Sequence, residues 1–426
     1  MGWSGWMIQA VRSRVEAKRP RPGRVVEAAA PRRWREHPAD GLTPGELSRI
    51  LRAADEGSAE QALALFEQME EKDAHLHAVA QIRRLALTGL KWQILSAAEV
   101  REGVDPAAAA EAAAYCREVL ADLEGLDAAL QHLSLAIGRN IAVAENVWEP
   151  LGGELRLVDV APVPFDRLTF DGRGRLRILT RREPVVGESL PAGKLVVHCP
   201  HAVSGHPMRG GLLRATAMAY LGKHFALKDW MVYTEVFGMP VRVARYEPSA
   251  TPEEKRELLR MVESLGGDAA AIVSKAVELE FIEAGQGKAP PPYEHLCNFF
   301  NRELSKAWLG GTLTVEALSG EAGSFATTPQ VHNEVRLDIR QDDIAREART
   351  LRRDVLAPLA RYRFGPRVPV PFFRRVLEPP RDLRALAAVL DTAVNGLRMR
   401  VPLAWAHQAL GVPEASRGEA VLTGRT

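Results

Sequence analysis

The chain has 426 residues, 46% hydrophobic and 26% charged, with a formal net charge of only +2. That length exceeds one ordinary core and predicts two or three structural regions, while a charge so near zero excludes a whole-molecule basic field that would grip nucleic acid. Cys116, Cys199 and Cys297 are odd in number and far apart, which excludes a disulfide framework and points to a reducing cytoplasm. No apolar run reaches the roughly 18 residues of a membrane span, and the start of the chain lacks the basic-then-apolar order of a signal peptide.

Residues 1–41 are basic and punctuated by proline, carrying Arg12, Arg14, Lys18, Arg19, Arg21, Arg24, Arg32, Arg33 and Arg35. They are expected to form a mobile arm, either a solvated tail or a contact for nucleic acid or a partner. Thr43-Pro44-Gly45-Glu46 supplies an N-cap, a first-turn proline and a first-turn acid for a helix to about Glu56. Helices from Ser58 to Met69 and from Asp73 to Thr88 follow. His75 and His77 lie two apart, so on a helix they face different sides and cannot chelate one metal. Gly89 to Leu95 alternates as a strand, and helices are predicted over 106–120 and 126–136. Alternating residues at 142–147 and 155–160 flank a turn at 149–154 and read as a hairpin. Short strands follow near 168–170, 176–180 and 195–198. The order is that of an antiparallel α+β region, not a repeating βαβ unit.

Between the Gly210-Gly211 pair and Gly238-Met239-Pro240 lies a helix-compatible stretch without internal proline, about 40 Å long if helical. Leu212, Leu213, Met218, Leu221, Phe225, Trp230, Met231 and Phe237 distribute apolar surface nearly all round it, as expected of a helix buried in a large core or between subunits. A strand at 241–246, a helix from Pro252 to about Leu265 and alternation over 271–283 make a small strand, helix, strand insert. A second apolar helix is predicted over Tyr293 to Leu309. Thr312 to Pro329, rich in Gly, Ser, Thr and Ala, reads as a long loop. Gln330 to Leu359 is a charged helix, and the Pro-rich tail ends in helices at 382–390 and 403–410.

The chemistry-bearing motifs are sparse. Gly193-Lys194, Gly222-Lys223 and Gly287-Lys288 lack the glycine spacing and the Ser or Thr of a phosphate loop. His198, Cys199, His201 and His206 are zinc-ligand types within nine residues and define the alternative reading, a cytosolic metal-dependent hydrolase. Their spacing matches no paired ligand motif, so a strand end packed beside the long helix is the competing reading. The carboxylate pairs Glu253-Glu254 and Asp342-Asp343 are expected on solvated helical faces. No catalytic residue, bound metal or cofactor is assigned.

The order of the pieces resembles a tailed-phage portal protein, and more closely the Mu-like portal family. The resemblance rests on Asp73-Ala74-His75-Leu76, Gly89-Leu90-Lys91-Trp92, Pro207-Met208-Arg209-Gly210-Gly211-Leu212-Leu213-Arg214, Lys228-Asp229-Trp230 and Phe237-Gly238-Met239-Pro240. Gly411-Val412-Pro413 and Gly418-Glu419 extend it into the tail. It implies an α+β portal fold: a wing over 42–208, stem helices over 209–238 and 293–311, and a clip over 239–292. A channel loop over 312–329, a long wing helix over 330–364 and a crown-like end over 365–426 complete it.

The resemblance further implies a non-enzymatic ring, commonly of twelve subunits, at one capsid vertex of the virion, assembled in the bacterial host cytoplasm. Double-stranded DNA would be packaged and ejected through it. The terminase large subunit, the major capsid or scaffold protein and a head-completion adaptor would be its partners, with no membrane contact. Carried onto this sequence, Lys223, Lys228 and Lys306 are candidate channel-facing cations of the stem, with exposed stem charge as the equal alternative. Trp230 is placed with them, and Leu221→Asp or Trp230→Asp is expected to impair assembly. Thr312, Thr314, Ser319, Ser324, Thr327 and Thr328 mark the channel loop. Arg242, Arg245, Glu253, Lys255 and Arg256 are the candidate clip contacts.

Overall fold

The computed structural model describes residues 23–26, 41–201, 204–237, 241–245, 249, 251–264, 278–282, 292–312, 329–377 and 383–415. They belong to two compact units, Met1–Arg375 and Val376–Thr426. The first begins with three helices, α1 (Pro44–Asp55), α2 (Glu60–Lys72) and α3 (Ala74–Thr88). Thr43 caps α1 by accepting the Glu46 N–H, with Pro44 at the position where a missing N–H costs nothing. Asp73 ends α2 and caps α3 through Leu76 N, so one acidic residue sets the corner between two helices.

After β1 (Trp92–Leu95), α4 (Pro106–Ala121) and α5 (Leu126–Ser134) come the strands β2 (Ala142–Leu151), β3 (Glu154–Val163), β4 (Leu168–Phe170), β5 (Leu176–Ile178) and β6 (Leu195–His198). The predicted hairpin is present but longer than its alternation suggested. Its strands run to Leu151 and Glu154, leaving a two-residue turn of Gly152 and Gly153, both at positive φ as such turns require. β2 is central in an antiparallel sheet of order β3-β2-β6, and its residues from Ala142 to Trp148 are all buried.

The long helix α6 (Leu212–Phe237) is followed by β7 (Val241–Arg245), α7 (Pro252–Ser264) and β8 (Glu278–Ile282), and then α8 (Tyr293–Leu309). β7 and β8 pair antiparallel, Val241 opposite Ile282 and Arg245 opposite Glu278. α9 (Pro329–Leu351) runs through one turn of π-helix, Arg352–Leu356, into α10 (Ala357–Phe364). The charged segment is thus one rod with a local widening, not a single regular helix.

Two boundaries differ from the sequence reading. β9 (Phe372–Arg375) pairs with β1 across 277 residues of chain, Leu95 opposite Phe372 and Trp92 opposite Arg375. Residues 365–375 therefore belong to the first unit, and a C-terminal region starts at Val376 rather than 365. Arg375 locks this pairing by a two-pronged bond to Glu347 at 2.8 Å and a third to Leu90 O at 2.7 Å. The basic arm is also not wholly solvated, because Gly23 bridges to Trp148 of β2 and Val26 is buried. The rest of residues 1–40 lies outside the described residues.

The second unit contains α11 (Leu383–Asp391), one turn of π-helix, Thr392–Gly396, and α12 (Leu403–Leu410). Among its described residues none is buried, and Val389, Leu397, Leu403 and Trp405 are exposed.

Candidate functional site

The long helix is packed by its own chain at some positions and exposed at others. Leu213, Ala217, Tyr220, Leu221 and Ala226 are buried, and the helix packs on α8 most extensively and also on α1 and α2. Gly222 lies directly against Phe300 of α8. A Cβ there would overlap the Phe300 ring, so only glycine lets α8 lie this near.

Polar side chains lock this packing. Lys223 Nζ reaches Asp73 Oδ1 at 2.7 Å, and His75 Nε2 meets Ser305 Oγ at 2.8 Å. Arg83 grips both Asp343 oxygens at 2.9 and 3.0 Å and donates to Trp308 O at 3.0 Å, tying α3, α8 and α9 together. His75 is pushed below its ordinary pKa, first by burial and then by the Lys223 charge.

Part of the same helix stays open: Met218, Phe225 and Val232 are exposed to 60%, 39% and 49%. They are spaced by seven, which drifts only about 20° on a straight helix, so the three form one stripe about 21 Å long. Met231 on the same helix and Leu296 and Phe299 on α8 are also exposed. A repeated apolar stripe left open by a folded chain marks a candidate interaction surface. Nearly all-round apolarity thus resolves into side chains that the chain covers and others that it leaves exposed.

Several site residues named from the sequence change role. Lys223 is not a channel-facing cation: it is buried and spent on Asp73. Lys228 is exposed, Trp230 is half-buried beside Leu227, Met231 and Thr234, and Lys306 is exposed but paired with Glu303 at 2.7 Å. Asp343 is not on a solvated face, since Arg83 draws it into the core, whereas Asp342 pairs at the surface with Arg346. Glu253 and Arg256 pair on the exposed side of α7, Lys255 beside them is half-buried, and Glu254 caps that helix with Thr251. Arg242 and Arg245 occupy β7, but their side chains lie outside the described residues, as do Thr314, Ser319, Ser324, Thr327 and Thr328; Thr312 is half-buried three residues past the end of α8.

The zinc-type cluster does not converge. His198 is buried, meets Thr350 Oγ1 at 2.9 Å, and burial pushes its pKa down to about 4. His201 points at Ile137 O and at the Arg346 guanidinium, and His206 stacks edge-on against Phe170 while accepting Met208 N. Cys199 is exposed. No group of three metal-ligating side chains forms among the described residues. A cation already beside His201 opposes a metal, so nothing here supports the hydrolase reading.

Sequence reasoning missed the buried charges that join distant segments, such as Arg83 with Asp343, Arg375 with Glu347, and Lys194 with Glu145. Only Glu145 left a signal, as an acid in the apolar run Ala142-Val143-Ala144-Glu145-Asn146-Val147-Trp148, where both faces are buried.

The family model described as the portal protein of Mu bacteriophage matches residues 63–412. The chain belongs to that family. It is 34% identical over 397 residues to the Mu-like prophage FluMu protein gp29 of Haemophilus influenzae, covering 91% of this chain and 74% of that protein. To the portal protein of Escherichia phage Mu it is 30% identical over 401 residues, covering 92% and 75%. Among solved structures it resembles an HK97 family phage portal protein from Corynebacterium diphtheriae, at 9% identity and a TM-score of 0.42, over 82% of this chain and 96% of that one. A chain from the neck of an empty GTA particle gives 16% identity and 0.48, over 80% and 90%. Those scores are too low to add to the sequence match, which alone carries the assignment. The chain's function is that of a phage portal protein, a structural role rather than an enzymatic one.

Proposed function

We propose that this chain assembles into a closed ring at one vertex of a phage or prophage capsid, the conduit for packaging and ejecting double-stranded DNA. The observation that carries the reading is the exposed apolar stripe Met218, Phe225 and Val232 on a helix otherwise packed by its own chain. In a ring each subunit presents one surface to a different surface of the next, and the contacts close without a free end. α6 and α8 are then the stem, 42–208 and 330–375 the wing, 239–292 the clip and 376–426 a crown-like end. The region from 312 to 329 is the channel loop, with twelve subunits as the number to test.

The small net charge suits this role, since every phosphate held by a lysine or arginine would strengthen binding and slow passage. Lys228 and Lys306 remain the stem cations that DNA could meet. The clip, with Glu253, Lys255 and Arg256 on α7, is assigned to contacts with the terminase large subunit and a head-completion adaptor, and the wing to contacts with the capsid or scaffold protein. The ring is placed in the virion, after assembly in the host cytoplasm.

Phe225→Glu puts a charge in the exposed stripe. Negative-stain images and light scattering should then show a folded monomer where the wild type gives rings, and normal rings from Phe225→Glu would overturn the assignment. Leu221→Asp is not an equivalent test, because Leu221 is buried within its own subunit and its loss acts on folding.

A further inference from the structure

The lysine of the failed phosphate motif Gly193-Lys194 has a different occupation. Lys194 and Glu145 are both fully buried and pair at 2.9 Å beside β2, just past the point where β6 stops following it. Residues 23–26 take the vacated edge. Gly23 N donates to Trp148 O at 2.7 Å, Lys194 Nζ donates to Gly23 O at 2.5 Å, and the N–H groups of Val25 and Val26 donate to the two Glu145 oxygens at 2.6 and 2.8 Å.

Every one of these bonds uses the backbone of the segment. Its polar side chain, Arg24, turns back on Val26 O. Selection by side chain is limited to Gly23, held at φ +76°, and to Val26, which is 2% exposed. This is how a cleft reads an added strand: main-chain bonds hold it and one or two pockets choose it. Without the segment, a buried carboxylate would lose two donors and a buried ammonium one acceptor, a state that burial penalises strongly.

We infer that the cleft of Glu145 and Lys194 is a peptide-binding site, whose resident ligand is the chain's own Gly23–Val26. The site rests on this geometry alone and is independent of ring formation.

The test uses the full chain with a protease site inserted after Ala30, cut once the protein is folded. The 1–30 fragment should stay bound through gel filtration and be displaced by a fluorescent peptide of residues 18–30. Peptides carrying Val25→Pro, which removes a donor to Glu145, or Val26→Asp should compete at least tenfold less well, and Glu145→Gln in the body should weaken the wild-type peptide by a similar factor. A fragment that separates at once while the body stays folded, or a Val25→Pro peptide that competes like wild type, overturns the inference. If the cut body precipitates, rescue by the wild-type peptide supports the site and failure of rescue refutes it.

Discussion

Lys223→Met separates a buried ion pair from a channel-facing cation. Lys223 sits mid-way along α6 with its ammonium 2.7 Å from Asp73, whose side chain is wholly buried. Methionine keeps the length and the helix propensity and removes only the charge and its donors. Asp73 Oδ1 would keep the Leu76 N–H, but Oδ2 already lacks a partner, so the carboxylate would stand uncompensated in the core. Breaking one side of such a pair costs ~3–5 kcal/mol.

Asp73→Asn is the useful partner change, because asparagine caps a helix about as well as aspartate and only the charge is lost. It should cost less, ~1–3 kcal/mol, since the ammonium can slide toward solvent along its stem. The double variant should be milder than the sum by a coupling of roughly 1–3 kcal/mol. Urea unfolding of the unassembled chain, with unchanged slope, measures all three. A Lys223→Met protein as stable as wild type, or strictly additive variants, would refute the buried pair and return Lys223 to the surface.

Arg83→Lys should lose ~2–4 kcal/mol by the same assay, because a single ammonium cannot hold both Asp343 oxygens and Trp308 O as the planar guanidinium does. Gly222→Ala sets a gain of about 1 kcal/mol in helix propensity against an overpacking cost of ~1–3 kcal/mol at Phe300. The net should be destabilising, and Phe300→Leu in the same chain should recover most of it. Burial holds His132 and His198 near pKa 4, below the 6.5 of the unfolded chain. The unfolded state therefore binds more protons between pH 6.5 and 4, so stability is full above pH 6.5 and falls through that window, by at most ~3 kcal/mol per histidine. His198→Gln should flatten the pH profile of the urea midpoint, and an unchanged profile would contradict the burial.

The local elements were legible because their causes are local. Tyr293 to Leu309 and Leu403 to Leu410 begin and end where the sequence places them, since prolines precede both and Gly310 and Gly411 terminate them at positive φ. The long helix was legible from its unbroken run between glycine signals, and the order of pieces carried the family. What periodicity could not supply was partnership. Whether Lys223 is wet or buried depends on Asp73, 150 residues earlier, and Asp343 turns inward only because Arg83 lies across the α3 and α9 contact. β9 is four residues of Phe-Phe-Arg-Arg with no alternation, and becomes a strand because β1 offers it an edge. Composition set the apolar content of α6 and chain order set its place, but which of its apolar side chains are buried was decided by the helices that pack on it, α8 above all. That is a contact between helices far apart in the chain, and no sequence window contains both.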